Sequence, residues 1–156
     1  MKKLLAILFA LSILVGCGAK VEASFKAADA DLTVSGKTLT PGMKYSDPVI
    51  TGWLEFTELT SCAYVGNDKV YDYTDFSVYT YNDGVDDFIL SVEFKNETET
   101  SKGIHIGSTK AEVIKAYGED YTTKILNMVY TDGQVNATFL IVEDKVAGIS
   151  LNYRPQ

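Results

Sequence analysis

The chain has 156 residues, with 14 basic against 21 acidic side chains and a formal net charge of −7. That acid excess, with no basic cluster, excludes an ordinary nucleic-acid binder and leaves no polybasic patch to hold anionic lipid. Ten Tyr, seven Phe and one Trp beside only three Pro describe a folded, strand-rich domain rather than a disordered chain.

The first eighteen residues read MKKLLAILFALSILVGCG. Lys2 and Lys3 precede an apolar run from Leu4 to Val15, broken only by Ser12. As a helix this run would be about 18 Å long at roughly 1.5 Å per residue, whereas a spanning helix needs about 20 apolar residues. A positive start, a short apolar centre and small residues at the exit are the layout of an export signal. Leu14, Val15, Gly16 and Cys17 resemble the lipobox of bacterial lipoproteins, L-[AVS]-[GA]-C. The resemblance implies cleavage before Cys17, a diacylglyceryl thioether on its sulfur and an extracytoplasmic, lipid-anchored location. That would be the cell membrane, or the outer membrane where the host has one. Two acyl chains give a stable anchor where one would be marginal. Residues 1–16 are thus expected to be a signal peptide, and their loss leaves 12 basic against 21 acidic residues, a balance of −9.

Residues 17–34 read as the lipidated Cys and a tether, and 35–154 as a single α+β domain. A weak helix is expected from Ser46 to Gly52 or Trp53, with Ser46 as its cap and Pro48 in the first turn. Strands follow at Leu59–Val65, Val70–Tyr73 and Phe76–Tyr81. Asn82-Asp83-Gly84 is a hairpin signal, and Phe88–Phe94 returns. A firmer helix is predicted over Ser108–Tyr117, where Thr109 and Glu112 fit a capping box and Gly118 a C-terminal cap. Met128–Thr131, Val135–Val142 and Val146–Tyr153 complete the strands. Short turns between them require antiparallel pairing. The expected fold is a twisted antiparallel sheet with one or two short helices on one face.

Leu39-Thr40-Pro41-Gly42 before Val49-Ile50 parallels Ile104-His105-Ile106-Gly107 before Val113-Ile114, which divides the domain into similar helix-plus-meander units at about 35–98 and 99–154. Gly107, Thr109, Val113, Tyr117 and Gly118 resemble the helical signature of the SmpA/OmlA-type small lipoproteins. The tandem arrangement is similar to the β-lactamase inhibitory protein fold. The resemblance implies a non-enzymatic module that binds proteins or envelope components, with the membrane as a further partner through Cys17.

Candidate chemistry is sparse. Cys62 and His105 form the one possible Cys–His pair, and a thiol nucleophile needs such a base close by. Read as part of an alternating strand, Cys62 is better explained as a small buried hydrophobe. One Cys and one His cannot supply a zinc site, and the acids of Asn82–Asp87 lack EF-hand spacing. No phosphate loop, dinucleotide fingerprint or nucleophile elbow occurs, so no catalytic residue, cofactor or metal ligand is assigned. Tyr71 and Tyr73 share one strand face, as do Tyr79 and Tyr81. Their first reading is cross-strand packing; the functional reading is that one pair fills the core and the other forms an exposed aromatic face able to bind a protein or a glycan. The alternative is a small extracytoplasmic hydrolase using carboxylates or Cys62.

Overall fold

The computed structural model describes residues 24–96 and 98–156. The expected signal peptide at 1–16 and the lipobox-like residues up to Cys17 lie outside the described residues. A 3-10 turn at Ala27–Ala30 leads into a small hairpin, β1 (Leu32–Val34) and β2 (Lys37–Leu39). Four strands then run as a meander: β3 (Glu55–Thr60), β4 (Asn67–Asp72), β5 (Phe76–Asn82) and β6 (Asp87–Phe94). After α1 (Lys110–Tyr117), a second meander follows: β7 (Thr122–Lys124), β8 (Asn127–Thr131), β9 (Val135–Val142) and β10 (Lys145–Tyr153). The meanders join edge to edge through β6 and β10 in one eight-stranded antiparallel sheet of order β3-β4-β5-β6-β10-β9-β8-β7. The architecture is a sheet-rich α+β fold with one α-helix among the described residues.

Alternation decides which side chains are buried. Phe76, Val78, Val92, Phe94, Ala137, Phe139, Ile149 and Leu151 point to one face and belong to the core. Val113 and Tyr117 of α1 close over that face with Phe25, Ala30, Leu32, Leu39 and Tyr45 from the N-terminal segment. The opposite face carries the alternate residues. Across the seam between the meanders, Ser91 Oγ donates to Asn152 Oδ1 at 2.9 Å, and Asn152 Nδ2 donates to Asn136 Oδ1 at 3.0 Å. These short polar side chains link β6, β10 and β9 on a face that α1 leaves open.

The helix forms as its sequence dictates. Thr109 Oγ1 accepts from Glu112 N at 3.2 Å, and Glu112 Oε2 accepts from Thr109 N at 2.7 Å, so two otherwise orphan donors are satisfied. Gly118, at φ 92°, ends it by donating to Ile114 O. Tyr117 is fully buried between Tyr130 and Phe139, whose rings lie 5.2 and 5.1 Å away.

Three expectations change. No helix forms over Ser46–Trp53. Ser46 Oγ accepts from Asp87 N at 3.0 Å instead of capping, Pro48 drives Asp47 away from the helical region, and Gly52 adopts φ 86°. The segment packs by its side chains, with Trp53 edge-on to Tyr71 at 5.3 Å. The strand expected over Leu59–Val65 ends at Thr60, because Ser61 Oγ accepts from Ala63 N and Tyr64 N and curls the chain into a local turn. Within the stretch expected to be a tether, Phe25, Ala30 and Leu32 are core residues, so the described part of that stretch belongs to the folded body.

Candidate functional site

Antiparallel pairing brings four chain segments to one end of the sheet: the β3–β4 loop, the β5–β6 turn, the β8–β9 turn and the residues after β10. Between them lies an open groove of about 930 Å³, walled by Cys62, Tyr64, Tyr81, Asp83, Gln134 and Tyr153. Each wall is fixed by local hydrogen bonds. The Ser61 turn holds Tyr64. Asn82 Oδ1 accepts from Gly84 N at 2.7 Å, and Asp83 Oδ1 accepts from Val85 N and Asp86 N at 2.9 Å each. Asp132 Oδ1 accepts from Gln134 N and Val135 N at 3.0 and 2.8 Å. Gln134 O accepts from Arg154 N at 2.8 Å, tying down the segment after β10.

Aromatic rings form the floor. Tyr81 is 9% exposed. It stacks on Tyr153 at 6.2 Å and 16° between planes, stacks on Phe88 at 5.7 Å and 27°, and meets Tyr64 at 4.9 Å. Tyr64 and Tyr153 are only half-buried. A buried ring therefore braces two half-buried rings that line the groove. Gln134 Nε2 donates to the Tyr153 hydroxyl at 3.1 Å. Gly42, at φ 89°, backs Tyr153 so closely that a Cβ there would fall 2.6 Å from the ring.

Charge beneath the groove is paired. Lys69 Nζ bonds Asp87 Oδ2 at 2.6 Å, and Asn82 Nδ2 donates to Asp87 Oδ1 at 2.8 Å. This mostly buried pair clamps β4 to the β5–β6 turn, and its hydrogen bond raises the Lys69 ammonium above its ordinary pKa. Asp83 is held below the usual carboxylate value by the backbone N–H groups of Asp86 and Val85, so the groove wall carries a firm negative charge. Burial pushes the Tyr81 phenol up, with Tyr153, Asp83 and Tyr64 adding to it. One buried oxygen, Asp68 Oδ1, has no hydrogen-bond partner among the described residues. Asp68 stands one position before Lys69, whose register partner is Thr80, which sets it beside Tyr81.

The four tyrosines singled out by alternation separate. Tyr71 and Tyr73 join the core, at 5% and 6% exposure. Tyr71 gathers Tyr45, Trp53 and Phe56 around it. Tyr79 and Tyr81 stand out of phase with the core residues Phe76 and Val78; Tyr79 is half-buried, and Tyr81 belongs to the groove. Tyr64 and Tyr153 were not singled out. Tyr64 sits in a loop that its sequence disguises as a strand, and Tyr153 meets Tyr81 only through the long-range β6–β10 pairing.

Cys62 is exposed on the β3–β4 loop rather than buried in a strand. His105 lies in the connection before α1, its Nδ1 2.9 Å from Ile106 O, and is not among the groove residues. The two are not brought together there. Among the described residues no group of three or more His, Cys, Asp or Glu is placed to hold a metal ion. Nor is any described helix long and apolar enough to cross a membrane.

No family model, curated protein or solved structure matches the chain. Function must therefore be read from the residues themselves.

Proposed function

We propose that the chain is a bacterial lipoprotein, anchored through an acylated Cys17 on the extracytoplasmic side of the membrane, whose folded body is a non-catalytic module binding a protein or envelope component. The single observation carrying the binding half of this reading is the braced ring set, in which buried Tyr81 holds Tyr64 and Tyr153 half-exposed across an open groove. Aromatic side chains with one apolar side and one polar edge are the preferred anchors of recognition surfaces. The anchor half rests on the lipobox and the short apolar run before it.

We also read the sheet as two similar meander units, of which the second, with α1, is similar to those of the SmpA/OmlA-type lipoproteins. Supporting this, each half is a four-stranded meander and the two meet through their last strands. Residues 46–54 precede the first meander as α1 precedes the second, though they form no helix.

The hydrolase alternative draws on Cys62, an exposed thiol on the groove rim. One experiment addresses both. The protein is purified from its native host and its N-terminal peptide analysed by mass spectrometry; a diacylglyceryl adduct on Cys17 is expected, and a chain still starting at Met1 refutes the anchor. The same preparation, wild type and Cys62→Ser, is used to capture envelope components. Retention undiminished in Cys62→Ser supports the module, and a small-molecule product that vanishes with the thiol supports the enzyme.

A further inference from the structure

We propose that the groove binds an uncharged oligosaccharide, a proposal that rests on the binding-module reading and names its ligand class. A sugar ring presents apolar C–H faces and a rim of hydroxyl groups. It therefore needs flat rings to lie on and amide, hydroxyl or carboxylate groups beside them. The groove supplies both. Tyr64 and Tyr153 are the half-exposed rings, fixed in advance by Tyr81, so little side-chain freedom remains to be lost on binding. Gln134 and the Tyr153 hydroxyl, already bonded to each other, stand at one edge, and Asp83 stands at the other.

Size and charge narrow the occupant. A volume of about 930 Å³ falls in the range of roughly 300–1,000 Å³ typical of small-ligand sites, whereas a folded protein partner typically covers about 800 Å² of surface on each side. The Asp83 carboxylate on the wall and the chain's excess of acids repel phosphate-bearing polymers and acidic peptides.

The test is calorimetric titration of the full-length protein in detergent micelles with a β-1,4-linked N-acetylglucosamine hexamer and a glucose hexamer. Poly(glycerol phosphate) is the anionic comparison. Saturable binding of at least one uncharged hexamer is expected, and none of the polyanion. Tyr64→Ala and Tyr153→Ala should each weaken it about tenfold or more, while Tyr64→Phe, which keeps the ring, should stay within about threefold. Tyr64 lies in a surface loop, so a melting curve matching wild type keeps its variant interpretable. No binding of either hexamer to the folded chain, or binding untouched by Tyr64→Ala, overturns the oligosaccharide. If neither hexamer binds yet Tyr64→Ala abolishes capture of a protein from native membranes, the module reading survives and the sugar does not. Turnover of a hexamer to shorter products overturns the non-catalytic reading instead.

Discussion

The segment that fails to become a helix is held by two phenols, and their roles are unequal. Tyr73 donates its hydroxyl proton to Ile50 O at 2.8 Å, so the Tyr45 hydroxyl, 3.2 Å away, must donate to Tyr73. Tyr45 is completely buried, and burial followed by donation to Tyr73 drives its pKa far above the ordinary phenol value. Tyr45→Phe removes one donor and leaves the Tyr73–Ile50 bond intact, at about 1 kcal/mol. Tyr73→Phe removes the bond to Ile50 and strands the buried Tyr45 hydroxyl, at about 2–3 kcal/mol. The double variant has no Tyr45 hydroxyl to strand, so it should cost about 2 kcal/mol, roughly 1–2 kcal/mol less than the singles added together. At about 3–4 °C of melting temperature per kcal/mol for a domain of this size, the singles separate clearly. Urea denaturation followed by circular dichroism supplies the four free energies, and limited proteolysis should cut near residues 46–54 first in Tyr73→Phe. A larger cost for Tyr45→Phe than for Tyr73→Phe, or strict additivity, would refute this ordering of donor and acceptor.

Other expectations follow from the same geometry. Seven tyrosines, at 45, 71, 73, 79, 81, 117 and 130, have raised pKa values with burial as the leading cause, Tyr117 pushed up to about 12. A raised folded-state value means that their stability is complete below about pH 10, the unfolded phenol value, and is lost as pH climbs through the folded values. Absorbance at phenolate wavelengths should lag an unfolded control and then jump with unfolding; a smooth titration of every phenol near pH 10 would contradict the burial. Gly42→Ala combines a φ of 89° with a Cβ 2.6 Å from the Tyr153 ring. It should cost more than about 1 kcal/mol in urea melts and shift the Tyr153 ring resonances, whereas unchanged stability would mean that Tyr153 has room to move. Thr109→Ala removes the helix cap and should cost about 1 kcal/mol by denaturant titration; a loss within error would show that α1 is held by Val113 and Tyr117 alone.

Local signals marked most of the second meander. Val135–Val142 is a strand to the residue, and Thr109, Glu112 and Gly118 bound α1 as their chemistry demands. Asn82-Asp83-Gly84 turns β5 into β6 for the reasons its side chains give. The first meander was harder because edge strands are not required to be apolar. Glu55–Thr60 carries two glutamates and is largely exposed, while the more apolar stretch after it is diverted by one serine hydroxyl. The groove was half legible. Tyr81 stood out by alternation, but its companions Tyr64 and Tyr153 arrive from a loop and from the far meander, and no local pattern reports a pairing between residues so far apart in the chain.

Phe25 is already a core residue, stacked on Tyr117, and this bounds the length of the proposed leash. With the proposed lipid on Cys17, Phe25 lies eight residues along the chain, a distance of at most ~29 Å. On the lipoprotein reading proposed above, a binding module on so short a line would not reach deep into a cell wall. It would meet what passes within a few nanometres of the membrane, such as polymer still being exported or assembled there, and lengthening the line would then change where the module works without altering what it grips.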